Sequence, residues 1–549
     1  MRKLPLLALV LLVAALALGD RNPSIAGTSS RKAPRKSGIA EFFSLTLPSG
    51  YGARAGAACD IGASTQPGAY QGNMLLDCDG ETPHNETTIA ANPLDPQNVV
   101  AGYHSYQRKD QGNDNIIRVV GTVSVTYDGG ASWSEVIPPI KPYQFTGDPA
   151  LAFDTRGRLY LATIADHEGP GGSFTGPDVV VATSFDGGSS WESPVTVAHG
   201  TNAATPKRGF GPLLFNDKDF LAVDVGPGSP YRDRAYVTWT GFETVFSPNQ
   251  AFFRSPVMLS SSDDGIHWTE GRAISGFNRS LCVAPFFSFP GMCDVDQDSY
   301  PAVAPNGRVY VSFVNFNTIA QSQILVVSSS DGGATWQPPS RVDFIENYNM
   351  PVSPQGENVL KGCLFRMSFN ANTAADPSDP SGRTVYVAFA DNRNGTLDPQ
   401  GFFLSDLDVF LGRSTDGGAT WSVIPVNTLP NDQFFPWVSV AADGRVDVGY
   451  MDRSYSSGQE ECRYGYSLTR LRFDASGTVA SRTTTRVDSA LSDLSNSFWF
   501  GPNSRFIGDY AGITVDSLGR TWASWTDQRA PVSGVDPRTG QHAVAGLVP

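Results

Sequence analysis

Ser414-Thr-Asp-Gly-Gly-Ala-Thr-Trp421 is one of five copies of a single pattern: Ser or Thr, any residue, Asp, any residue, Gly, two residues, Trp. The other copies are anchored by Thr126–Asp128–Gly130–Trp133, Ser184–Asp186–Gly188–Trp191, Ser261–Asp263–Gly265–Trp268 and Ser329–Asp331–Gly333–Trp336. Each copy has the chemistry of a hairpin turn: the Asp carboxylate accepts backbone N–H bonds, Gly tolerates a positive φ, and Trp covers the turn with apolar area. Repetition of such a unit along one chain signals an array of like supersecondary structures.

Between these turns runs a second repeat: a strand, a turn often ending Gly-Arg, and a strand rich in Tyr, Val and Trp. Ala150–Asp154 with Leu159–Ile164, Tyr300–Ala304 with Val309–Val314, and Gly512–Asp516 with Thr521–Trp525 are examples. Seven such pairs are counted, and the first five each lead into a Trp-bearing turn. The sixth leads into Tyr464–Phe473 and Thr483–Val487, the same pair with the turn pattern eroded. Seven four-stranded units predict an all-β fold, a seven-bladed β-propeller. The last unit is one strand short, and Phe42–Leu47 is the expected strand that closes the ring.

The turn pattern resembles the Asp box of bacterial sialidases and their propeller relatives (the BNR repeat). The resemblance covers most of the chain and implies a propeller. Sialidases have six blades, and a six-bladed register with an accessory piece is the alternative. Sialidases hold an acidic sugar with three arginines and use a Tyr–Glu pair as nucleophile and an Asp as acid/base. Their Phe/Tyr-Arg-Ile-Pro motif is absent, with Phe365-Arg366-Met367 the nearest stretch, so that catalytic set is not carried over.

Arg2 and Lys3, an apolar run from Leu4 to Leu18, and small residues before Asp20 read as a secretory signal over residues 1–19. Residues 20–83 read as a flexible lead-in that contains the closing strand, and residues 84–549 as the propeller. Formal charge −14 argues against nucleic acid or an anionic membrane as partner, and no later stretch is apolar enough to span a bilayer. An exported chain with 6 Cys allows three disulfides. Cys59–Cys78, Cys282–Cys293 and Cys363–Cys462 are the expected pairs.

In a propeller the start of the inner strand and the end of the second strand share one face, the mouth, and the Asp-box turns lie on the other. Function concentrates on loops around a rigid scaffold. Ahead of the inner strands stand Glu86, Asp148, Asp219, Asp298, Asp432 and Asp509. Glu86, Asp148, Asp509 and the adjoining Tyr510 are the candidate catalytic groups. After the second strands come Arg393, Arg453 and Arg529, each two or one residues beyond an Asp, together with His104 and His167. Guanidinium groups suit bidentate contacts with a carboxylate, and imidazole can act as a base or bind a transition metal; these five are the candidate substrate-binding residues. Asp294, Asp296 and Asp298 alternate in a loop, as a structural Ca²⁺ site would require; no cofactor is otherwise implied. The expected function is a secreted glycoside hydrolase acting on an acidic carbohydrate. A non-catalytic carbohydrate- or protein-binding propeller and a polysaccharide lyase are the alternatives.

Overall fold

Val-, Tyr- and Trp-rich runs separated by Gly-bearing turns form antiparallel strands, and no described residue is helical. The computed structural model describes residues 60–62, 72–77, 83–108, 117–167, 176–200, 213–247, 250–284, 289–319, 321–353, 356–363, 366–458, 461–493, 498–501, 504–529 and 541–549. Seven sheets of four or five strands are arranged as the blades of a propeller. Their inner strands are His84–Ala91, Phe145–Phe153, Leu213–Val223, Asp296–Val303, Ala371–Ala375, Gln433–Val440 and Gly512–Val515. Each inner strand packs against the next, and the seventh returns to the first. Second strands such as Val309–Asn315 and Thr521–Asp527 are buried at every position, because the neighbouring blades cover both of their faces.

The ring closes through its N-terminal side, though not with the expected segment. Met74–Leu75 pairs with His542–Val548 as the outer strand of the seventh blade. Phe42–Leu47 lies outside the described residues. The closure is reinforced by Asp77, whose carboxylate accepts the Ala543 N–H at 2.7 Å and lies 3.0 Å from His542 Nδ1. A further strand, Asp60–Gly62, pairs with the outer strand of the first blade.

The Asp boxes are turns between third and fourth strands. Asp416 Oδ1 accepts the Thr420 N–H at 3.0 Å, while Gly418 N donates to Ser414 Oγ at 3.0 Å. The third copy departs from its sequence register. Ser262 and Asp264 make the turn bonds there, and Asp263 instead binds Arg234 at 2.6 Å and 2.9 Å. In the sixth blade the eroded turn retains only its cap: Asp474 Oδ1 accepts the Ser476 and Thr478 N–H groups at 2.9 Å and 3.0 Å.

Cys282–Cys293 and Cys363–Cys462 are disulfides, the second bridging the fifth and sixth blades. Cys59 and Cys78 fall outside the described residues.

Candidate active site at the mouth of the ring

The mouth is built by one irregularity repeated around the axis. In five inner strands the ladder slips between residues paired as Asn85/Thr88, Gly147/Ala150, Asp217/Phe220, Gln297/Tyr300 and Phe434/Trp437. Within each slip one side chain sits in left-handed backbone: Glu86 (φ 54°), Asp148 (51°), Lys218 (54°), Asp298 (59°) and Phe435 (51°). That region costs a non-glycine residue on the order of 1 kcal/mol and persists only where the surroundings impose it. In the first four blades the strained residue is charged.

Four of these blades, the loop before the fifth inner strand and the seventh blade bring their polar groups together. Lys218 Nζ donates to Asp509 Oδ2 at 2.6 Å and lies 3.5 Å from Glu86 Oε1 and 3.8 Å from Asp148 Oδ1. Arg366 Nη2 bridges both oxygens of Asp509, at 2.6 Å and 2.5 Å, and its guanidinium lies 4.5 Å from the centre of the Phe506 ring. His104 Nε2 accepts the Asp148 backbone N–H at 2.5 Å and lies 3.3 Å from Glu86 Oε2 and 3.6 Å from Asp148 Oδ1. Glu86, Asp148, Asp219, Asp298 and Asp509 are each no more than 5% exposed. With Asp217, six carboxyl groups face two cations, Lys218 and Arg366.

Environment divides these carboxyls. Burial drives Glu86 well above the usual carboxylate range, with the Asp148 and Asp509 charges adding to it against the pull of Lys218. Burial and the neighbouring Asp148 and Asp217 charges do the same to Asp219. Burial raises Asp298 and Asp217 to about 7. Burial also opposes ionisation of Asp509, but Arg366 and Lys218 outweigh it and hold the group well below its ordinary value. Asp148 likewise ends below its ordinary value, burial being overcome by Lys218 and its contact with Glu86. Burial lowers His104 to about 4, leaving a neutral imidazole at pH 7. Neutral acids and fixed carboxylates thus share one site, the division that assigns acid and base roles.

Below the charges the axis is plugged. Phe220, Tyr300, Trp437 and Tyr510 meet with ring centres 4.9–6.3 Å apart. A small cleft remains, lined by Lys218, Asp219, Phe220, Asp298, Ser299, Tyr300 and Tyr510. Asp298 Oδ1 and both Asp219 oxygens make no hydrogen bond of ordinary geometry. The Tyr510 hydroxyl donates to the Pro149 carbonyl at 3.4 Å, and burial raises its pKa well above the ordinary value. That placement gives no contact that would activate it as a nucleophile.

The remaining sequence candidates go elsewhere. Arg393 is bound to Asp391 at 2.8 Å and Asp343 at 2.9 Å. Arg453 is fully buried against Asp432 rather than Asp452, and also donates to the Glu461 carbonyl at 3.2 Å. Arg529 donates to Asp527 at 2.9 Å and 2.7 Å, and to Ser489 and Asn73. The three guanidinium groups therefore serve separate ion pairs, Arg393 reaching across to Asp343 of the fourth blade, and no two of them share a carboxylate. His167 stacks on Tyr143 at 4.6 Å, away from the cluster. Asp294, Asp296 and Asp298 do not bring their oxygens together: Asp296 accepts Asn315 Nδ2 at 2.6 Å, and the bulge after Gln297 turns Asp298 to the axis. Lys218 and Arg366, the two cations of the site, were missed. Lys218 lies one residue before the acid read from the sequence, and only the bulge reveals that it reaches the axis together with Asp219.

The model of the BNR repeat-like domain matches residues 141–448. The chain belongs to the BNR repeat-like domain family. No curated protein matches it. Among solved structures this BNR propeller is similar to the NanB sialidase of Streptococcus pneumoniae, at 9% identity over 90% of this chain and 97% of that one, with a TM-score of 0.39. It is similar to the intramolecular trans-sialidase of Ruminococcus gnavus at 12% identity over 77% and 99% of the two chains, with a TM-score of 0.41. For the alpha-L-arabinanase of Penicillium chrysogenum the values are 15%, 69%, 92% and 0.41. At such distances the chemistry has to be argued from the residues of this chain.

Proposed function

We propose that this BNR propeller is an exported glycoside hydrolase whose active site is the axial cluster, with Asp298 as proton donor and an acidic sugar as substrate. The observation that carries the reading is the pairing of a carboxyl raised to about 7, Asp298, with Asp509, a carboxylate held ionised by Lys218 and Arg366. Asp298 lines the small cleft and its Oδ1 makes no hydrogen bond of ordinary geometry, so one of its oxygens is not committed to a neighbour. Glycosidic cleavage needs an acid protonated near neutral pH and an ionised carboxylate nearby. Lys218 and Arg366 are the cations that would meet a sugar carboxylate. The two disulfides fit an oxidising compartment.

A screen of the purified protein against sialosides, uronic-acid polymers and neutral glycans, reading new reducing ends and unsaturated products, tests this. Cleavage of neutral glycans alone would remove the acidic sugar, and unsaturated products would replace hydrolysis by elimination. Binding without turnover would favour a binding propeller.

A further inference from the structure

Glu86 Oε2, His104 Nε2 and Asp148 Oδ1 come from two adjacent blades and all lie within 4.8 Å of one another. Glu86 is 2% exposed, and its Oε2 receives no hydrogen bond although it points at the other two atoms. Electron-pair donors gathered in this way need a proton between them, as in the Glu86–Asp148 contact, or a cation in its place. The spacing favours a particular cation. Ligands at ~2.0–2.1 Å from a tetrahedral Zn²⁺ stand about 3.3–3.4 Å apart. The Glu86–His104 and His104–Asp148 separations are 3.3 Å and 3.6 Å.

We propose that Glu86, His104 and Asp148 form a binding site for a divalent transition-metal ion of the zinc class. One imidazole with two carboxylates is a donor set for such an ion, whereas Ca²⁺ would want an all-oxygen shell of six or more ligands. The backbone positions are already set, since Glu86 and Asp148 are held at φ 54° and 51° with their side chains turned to the axis. Two contacts compete with the ion. The Asp148 N–H occupies the Nε2 lone pair and must release it on binding, and Lys218 Nζ lies 3.5 Å from the other oxygen of Glu86. Replacing Lys218 by Met should therefore tighten the site.

The test is direct binding of Zn²⁺, and of Co²⁺ as a spectroscopic probe, to the chelator-stripped full chain by calorimetry and visible absorption. One ion per chain should bind, and Co²⁺ should give the absorption of a four- or five-coordinate site. His104→Ala and Glu86→Gln should each weaken binding at least about tenfold, and Lys218→Met should strengthen it several-fold. If the variants fail to fold, the wild-type Co²⁺ spectrum and its displacement by one equivalent of Zn²⁺ still decide. No binding by the wild type, or binding unchanged in folded His104→Ala and Glu86→Gln, overturns the site and leaves the cluster held by protons. The readout uses no substrate, so it stands or falls apart from hydrolysis, which is assayed on the stripped protein.

Discussion

Blades one to four and blades five to seven share one architecture but place their charges differently. In the first group an ionisable residue occupies the strained position of the inner strand and reaches the axial cluster: Glu86, Asp148, Lys218 and Asp298. In the second group the charges after the second strands are taken up by ion pairs, as Asp391 with Arg393, Asp432 with Arg453, and Asp527 with Arg529, and only Arg366 and Asp509 reach the axial cluster. The tidy Asp/Arg spacing is that of a satisfied structural pair. The irregular, incompletely satisfied set is where backbone strain and raised carboxyl pKa values coincide, and such coincidence is the better pointer to chemistry.

The contrast can be broken most readily at Arg453. Its side chain is fully buried with Asp432, so Arg453→Ala should cost about 3–5 kcal/mol in urea unfolding by leaving a buried carboxylate alone. A near-neutral result would show the pair to be dispensable and the blade-five-to-seven account wrong. Gly508 probes the junction of the two groups. It has φ 91°, and a Cβ there would stand 2.6 Å from the Glu86 backbone nitrogen. Gly508→Ala should then cost about 1–3 kcal/mol and disturb the axial cluster together with stability.

How far the sequence shows all this differs by feature. The blade count is visible because each hairpin carries its own turn chemistry and its own alternation, both local signals. Glu86, Asp148, Asp298 and Asp509 are visible as acids ahead of inner strands. Lys218 is hidden, because a bulge reverses which side of a strand a residue faces and leaves no mark in composition. Arg366 is hidden because its partner Asp509 is 143 residues away and only ring closure joins them. The same bulge undoes the alternation of Asp294, Asp296 and Asp298. Ring closure by Met74–Leu75 is invisible for another reason: two residues carry no period.

Asp298 sharpens the comparison through pH. Its pKa rises from ~3.9 in an unfolded chain to about 7 in the fold. Its contribution to stability is therefore full below pH ~4 and is lost as pH climbs to about 7. The stability of Asp298→Asn should fall less steeply than the wild type across that window, by up to one proton's worth of slope. An unchanged slope would show that Asp298 is not held neutral. The smallest effect is expected on the far face. Asp416→Ala removes carboxylate bonds from an exposed turn and should cost about 1 kcal/mol by thermal unfolding, with no change in glycan turnover.

The central claim, that the axial cluster is catalytic, is tested most directly by turnover of Asp298→Asn beside Arg393→Ala on the glycan the wild type cleaves best. Loss of a general acid costs about 10²–10⁴-fold in rate. The account predicts a loss of that order in folded Asp298→Asn and near-normal turnover in Arg393→Ala. Full activity in Asp298→Asn, or the larger loss in Arg393→Ala, would contradict it.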